Sequence, residues 1–383
     1  MVEITFVIKA SKFCNLRCVY CYEHRELGVR DQIGIDTLEH LFAGIDAFGA
    51  WLLVRGIAPS FSFVWHGGEP LLLPPEFYEH AAEAQRRHIR RFAYRNSLQT
   101  NLFGIDQGSL AFVQQAGWHL GVSLDFASGV RRNAGGHDAD ARVIAAAEAL
   151  RRSGGRFGAI SVLGAHNRDT LLDAYDWVAE FAGGWRILPM FEGGPEADIA
   201  RLKLSEAEIV RFFAELLERR AHAGKHISIA PLDDYLKWAS LKIADMHASA
   251  VADRDMLDSI FLVNVNGDVF TRPFAYEPRH CLGNIARDAM GDMLERDVYK
   301  SCQDAIRGRK LQNCATCESR GFCDTSPMHE HGAVTREDGR CAIARDAIAR
   351  IEQDLRESGV DKSVIAGWVE MREGANTAVE DLH

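Results

Sequence analysis

Residues 4–22 read ITFVIKASKFCNLRCVYCY: an apolar run at 4–8, a short polar stretch, then Cys14, Cys18 and Cys21 in the spacing C-x3-C-x2-C. The run has the length of a buried strand, and three thiols within eight residues can wrap one metal centre. Past this loop Asp36 and Glu39 form a capping-box pattern ahead of Leu38, Leu41, Phe42, Ile45 and Leu52, which recur at helical spacing. A strand followed by an amphipathic helix opens an α/β repeat. The alternation continues with strands over 61–65, 95–100, 118–124, 157–163 and 185–190 and helices over 75–91, 107–116, 139–152, 168–182 and 205–221. The last helix opens with a second capping box, Ser205 to Glu208. Such units imply a parallel sheet curled into a partial (β/α)6 barrel of the TIM type, with ligands at the C-terminal ends of its strands.

Near residue 230 the rhythm stops. Residues 260–272, IFLVNVNGDVFTR, predict a hairpin turning at Asn266-Gly267. The chain therefore divides into a barrel over 1–235, a connecting helical segment over 236–258, a smaller domain over 259–345 and closing helices over 346–383. A net charge of −10 attracts no phosphates, so nucleic acid is not an expected partner, and the basic run Arg86, Arg87, His88, Arg90, Arg91 and Arg95 reads as a solvated face. No apolar run of eighteen residues and no signal peptide is present, so the expected location is the cytoplasm, away from membranes. Nine cysteines, an odd number, in a reducing compartment point to metal rather than to disulfides.

A [4Fe–4S] cluster takes four Cys ligands, so a three-Cys loop leaves one iron open to another molecule. The alternative is a closed structural zinc site completed by His24. The spacing, its place after the first strand and Tyr20 before the last Cys resemble the signature of the radical S-adenosylmethionine (radical SAM) enzymes. Strand two then ends in Trp65-His66-Gly67-Gly68-Glu69-Pro70, and in that family Gly67, Gly68, Glu69 and Pro70 match the segment that holds the amino group of SAM. Adjacent glycines allow close backbone approach, and the carboxylate accepts from an ammonium. The resemblance extends over the first 190 residues and places Tyr20, Asn101, Ser123, Arg131 (or its neighbour Arg132) and Val162 around the rest of SAM, Arg131 facing the carboxylate. The wording departs from the family at Asp125, which is followed by Phe126-Ala127-Ser128-Gly129 rather than Gly and Pro.

The second set, Cys314-x2-Cys317-x5-Cys323 followed by Cys341, has the four thiols of a closed [4Fe–4S] centre, or of a zinc ribbon. It resembles the SPASM (twitch-like) domain of peptide-modifying radical SAM enzymes, whose full form carries two auxiliary clusters. Where the first of those clusters has its own ligands, this chain has Thr271 or Arg272, Asp288 and Pro327. The resemblance thus implies two [4Fe–4S] clusters in all, one held by Cys14, Cys18 and Cys21 and one by Cys314, Cys317, Cys323 and Cys341. Cys281 and Cys302 remain and read as buried thiols.

In this family SAM is reductively cleaved to a 5′-deoxyadenosyl radical that removes a hydrogen atom from substrate. The implied function is a peptide maturase that oxidises, and by preference cross-links, a ribosomally made precursor peptide, with a flavodoxin or ferredoxin as reductant. The alternatives are a small-molecule dehydrogenase or epimerase, an anaerobic sulfatase (formylglycine) maturase and, outside catalysis, an iron-sulfur electron carrier. His66 and Asp125, at strand ends, are the candidates for proton transfer.

Overall fold

The protein is seen here as a computed structural model that describes residues 2–190, 196–246, 259–271, 276–323 and 341–368. Strands β1 (Val2–Ser11) and β2 (Leu16–Cys18) precede helix α1 (Ile35–Val54), and β3 (Pro59–Gly67), α2 (Pro75–His88), β4 (Tyr94–Thr100) and α3 (Gln107–Gln115) follow. Next come β5 (His119–Ser123), β6 (Arg131–Asn133), α4 (Asp140–Arg152), β7 (Gly158–Leu163), α5 (Arg168–Asp173), α6 (Tyr175–Phe181) and β8 (Trp185–Pro189). The chain continues through α7 (Glu196–Leu202), α8 (Glu206–Ala221), β9 (Ile229–Ala230), α9 (Leu232–Ala244), β10 (Ile260–Val263), β11 (Asp268–Thr271), β12 (Gly283–Asn284), α10 (Met290–Glu295), α11 (Asp297–Cys314) and α12 (Ala342–Glu357).

The large sheet runs β12-β11-β10-β1-β3-β4-β5-β7-β8-β9 and is parallel from β10 to β9. Side chains on one face of its central strands meet in register: Phe6 pairs with Phe63 on one side and Phe261 on the other, with ring centroids 5.9 Å and 5.6 Å apart. Phe48 of α1 closes this aromatic cluster edge-on to Phe6 at 6.4 Å. The hairpin β10–β11 turns at Asn266-Gly267 as its sequence predicts. It starts no sheet of its own, because β10 lies in parallel beside β1 and so sits next to the cysteine loop that β1 feeds.

The capping box at Ser205–Glu208 is formed in both directions. The one expected at Asp36–Glu39 is not. Helix α1 already begins at Ile35 with Gly34 as its cap, because Ile33 is buried and its N–H is tied to Ala10 O. Asp36 therefore falls inside the first turn, and Glu39 instead accepts from His88 Nε2 at 2.6 Å. The helix expected over 168–182 divides into α5 and α6 at Ala174. Among the described residues only α1 is long and apolar enough to cross a membrane. Its Leu38, Leu41, Phe42, Ile45, Phe48 and Leu52 are buried, and it packs on α2, β3 and α10 as a core helix does.

Candidate functional site

The cysteine loop leaves the C-terminal end of β1 and is pinned by backbone bonds at both ends, Lys12 N–H to Asp31 O at 2.9 Å and Cys14 N–H to Leu27 O at 3.0 Å. Its middle forms β2, whose Cys18 pairs with Arg131 of β6. Cys14, Cys18 and Cys21 gather around Leu16, Leu27 and Ala139. Burial pushes the Cys14 and Cys21 thiols up to about 12; the Glu69 carboxylate raises Cys14 further, and negative charge on Cys18 would raise both. Three crowded, half-shielded thiols are costly to ionise alone, and a cationic cluster relieves that cost, so the donor set fits a three-thiolate [4Fe–4S] centre. His24 turns its Nδ1 to Cys21 O at 3.2 Å, and among the described residues no three His, Cys, Asp or Glu side chains converge as ligands of one metal ion do.

The glycines after β3 serve this loop directly. Gly68 N–H donates to Ser11 O at 2.7 Å and Glu69 N–H to Phe13 O at 2.9 Å. A Cβ on Gly67 would run into Ser11 O, and one on Gly68 into Phe13 O. The close approach these glycines permit is thus to the backbone leading into Cys14. Glu69 is buried, accepting from Leu71 N–H (2.9 Å), Thr100 Oγ1 (2.8 Å) and Asn101 N–H (2.7 Å). Burial still pushes its carboxyl up to about 7, against the pull of those donors and of Arg131. Pro70 starts a short 3-10 turn, and its carbonyl accepts from Tyr78 at 2.7 Å. Asn101 reaches back to the loop, donating to Asn15 Oδ1 at 3.0 Å and approaching Cys14 Sγ at 3.6 Å.

On the other side, Tyr20 donates its hydroxyl to Asp125 Oδ2, and Asp125 Oδ1 accepts from Val162 N–H at 2.9 Å. Arg131 is buried, with Nη1 bonded to Ser123 O and Nε 3.8 Å from Asp125 Oδ2. Ser123 thus enters the site through its carbonyl. The Arg131 Nε has no hydrogen-bond partner, so the guanidinium keeps a donor for an anion. Its charge lies beside Cys18, opposing the rise that burial imposes on that thiol. Tyr20, Asp125, Arg131 and Val162 therefore form one network against the cysteine loop.

Lys9, Asp140 and Asn167, at the mouth, escaped the sequence reading. Lys9 of β1 is buried, with Nζ 2.6 Å from Glu23 Oε2, 3.0 Å from Glu26 Oε2 and 4.0 Å from the Tyr276 ring centre. It ties the turn after Cys21 to the barrel and to the segment after β11. A lysine inside an otherwise buried strand was the available signal. His66 stacks with Tyr22 at 6.5 Å, and burial together with the Lys9 charge holds its imidazole down at about 4, so it is neutral at pH 7. Asp140 and Asn167 also join the network, Asn167 donating to Asp125 O at 3.1 Å.

In the second set burial pushes Cys341 up to about 12, and the Cys314 and Cys317 thiolates raise it further, so these three are neighbours across the space between α11 and α12. Cys323 follows Cys317 through a turn closed by its N–H on Ser319 O at 3.0 Å. Thr271 is a fully buried hydroxyl, and Asp288 is engaged by Arg296 at 2.6 Å and by Asn284 N–H at 2.8 Å. Arg272 and Pro327 lie outside the described residues. Cys302 is buried with Sγ 3.7 Å from His280 Nδ1, and Cys281 Sγ lies 3.5 Å from Gly283 O.

Residues 8–178 match the Radical SAM superfamily. A serine-type anaerobic sulfatase-maturating enzyme of Bacteroides thetaiotaomicron is 30% identical over 173 residues, which are 44% of this chain and 41% of that relative. This match therefore spans less than half of the relative's length. Among solved structures, native anSMEcpe with bound AdoMet and Cp18Cys peptide superposes with a TM-score of 0.71 at 20% identity, covering 96% of this chain and 99% of that one. Streptococcus suis SuiB bound to precursor peptide SuiA reaches a TM-score of 0.59 at 14% identity over 88% of this chain and 74% of the other. These two likenesses establish the fold, C-terminal region included. The three-cysteine loop at the mouth of the parallel barrel lies within residues 8–178, the part of the chain that is similar to the Radical SAM superfamily.

Proposed function

We propose that this chain is a peptide maturase that uses SAM-derived radical chemistry to oxidise, and by preference cross-link, side chains of a ribosomally made peptide. The observation that carries this reading is the second thiol set, Cys314, Cys317 and Cys341 with Cys323, on a C-terminal region whose hairpin is built onto the barrel sheet beside the cysteine loop. When bound, SAM and a cluster on Cys14, Cys18 and Cys21 supply a carbon radical that takes a hydrogen atom from substrate, and a four-thiolate cluster supplies a one-electron acceptor. Glu69 balances the SAM ammonium, Arg131 offers its spare Nε to the carboxylate, and Tyr20 with Val162 borders the remainder. Asp125 spends its oxygens on Tyr20 and Val162, so its role is to hold these groups. His66 lies on the strand carrying the glycines, but burial and the Lys9 charge disfavour its protonated form, so it is a weak base and gains no support as the proton acceptor.

A sulfatase-maturase reading is favoured by the Bacteroides relative and disfavoured by Thr271 and Asp288 standing where a further auxiliary cluster would need cysteines. Anaerobic chain reconstituted with iron and sulfide, then given SAM, dithionite and either short peptides encoded beside its gene or a sulfatase-derived peptide, separates the two. Loss of a hydrogen pair from a neighbouring peptide, with 5′-deoxyadenosine formed, supports the first. Formylglycine in the sulfatase peptide alone supports the second, and stimulation by no peptide redirects the search to small molecules.

Two further results are expected. Glu69 is charged only above about pH 7, so as pH falls its protonation removes the ammonium partner, and SAM affinity declines toward about tenfold per unit. Equilibrium dialysis between pH 8 and pH 6 that gives a flat profile would remove Glu69 from this role. Cys341→Ser halves the bound iron and stops peptide product while 5′-deoxyadenosine still forms. Full product from an iron-depleted variant would detach the second set from the oxidation.

A further inference from the structure

Beyond β7 the chain turns through Gly164 into Ala165, His166 and Asn167. Asn167 is fully used, donating to Asp125 O and Val162 O and accepting from Gly164 N–H at 3.0 Å. His166 is the opposite case. Both of its ring nitrogens are shielded from solvent, and neither has a hydrogen-bond partner. Its ring lies on that of Tyr20, with centroids 5.8 Å apart and planes 23° from parallel. Tyr20 stands between Cys18 and Cys21 and is bonded to Asp125, so the unpartnered imidazole faces the mouth of the barrel beside the cysteine loop.

A buried polar atom without a partner costs on the order of 1–3 kcal/mol, and native structures seldom leave one without a reason. Two on one ring, at the ligand-binding end of the strands, point to a partner that arrives with a ligand. We infer that His166 recognises the adenosine half of SAM, whose paired donors and acceptors complete its two nitrogens. This rests on the SAM binding proposed above. A neutral imidazole carries one donor and one acceptor and no charge. The methionine half of SAM presents an ammonium and a carboxylate, which call for formal charges, and Glu69 and Arg131 supply these next to Cys14 and Cys18. The base and the ribose hydroxyls are uncharged and offer donors next to acceptors, the pattern that His166 lacks.

The test compares wild type, His166→Phe, which keeps the stack on Tyr20 and deletes the nitrogens, and His166→Gln, which keeps a donor and an acceptor. Full-length chain, anaerobic and reconstituted with iron and sulfide, is dialysed separately against SAM, 5′-deoxyadenosine and methionine. His166→Phe is expected to lose about tenfold in affinity for SAM and for 5′-deoxyadenosine, the size of one net hydrogen bond, with methionine unaffected. His166→Gln recovers most of the loss. The ligand-free melting temperature of His166→Phe stays level or rises, because the unpartnered nitrogens are gone; a residue that only packs would lower it. Unchanged nucleoside affinity, or an equal loss toward methionine, overturns the inference while SAM binding by the wild type stands. A wild type that binds no SAM overturns the SAM-binding reading itself and this inference with it.

Discussion

Simultaneous replacement of Cys14, Cys18 and Cys21 by Ala is expected to lower the iron of the reconstituted chain from about eight to about four atoms and to bring 5′-deoxyadenosine formation to background. The loop that carries them is held independently of the thiols, by the backbone bonds from Lys12 and Cys14, by the β2–β6 pair and by Lys9 and Lys12 on Glu26. The substitutions also remove buried groups whose thiolate forms the site disfavours. The fold should therefore survive, and the melting temperature is the control. Iron analysis and quantification of the nucleoside by mass spectrometry read the result directly. Iron that remains at the wild-type level, or zinc in its place, would refute the assignment of this loop.

Gly68→Ala is the second large effect, and it acts without touching a thiol. The new methyl meets the carbonyl oxygen and carbon of Phe13 and the carbonyl oxygen of Lys12, all backbone atoms that no rotamer change can clear. Relief requires moving residues 11–13, which breaks the bonds from Gly68 N–H to Ser11 O and from Glu69 N–H to Phe13 O and displaces Cys14. A penalty on the order of 3 kcal/mol follows from overpacking of this kind. Thermal unfolding of the ligand-free chain measures it, and cluster loading should fall alongside. Gly67 adds a second constraint, since its φ of +123° is open to glycine and strained for other residues. A Gly68→Ala chain with wild-type stability and full iron would mean that the loop is free to shift, contrary to this packing.

Much of the site was legible because its signals are local. Cys14, Cys18 and Cys21 declare themselves by spacing, and Gly67-Gly68-Glu69-Pro70 by its place at a strand end. Ser205–Glu208 formed its cap because donor and acceptor lie within one turn of each other. Asp36–Glu39 has the same pattern and failed, since the helix start was decided by Ile33 being pinned to Ala10, a contact across the chain. The glycine pair was legible as a place of close approach, yet the backbone it approaches, Ser11 to Phe13, lies more than fifty residues away in sequence.

By itself the sequence determined the strand-helix repeat, the parallel sheet and the hairpin at Asn266-Gly267, because periodicity and turn chemistry report which face or turn a residue occupies. Only the tertiary structure decided that β10 docks beside β1, that Arg131 stands against Cys18 and Asp125, that Lys9 is enclosed by Glu23, Glu26 and Tyr276, and that His166 keeps two unpartnered nitrogens against Tyr20. The reason is physical: strand order and register choose which distant side chains meet, and the loss of water around them then sets which charges must pair and which polar atoms wait for a ligand.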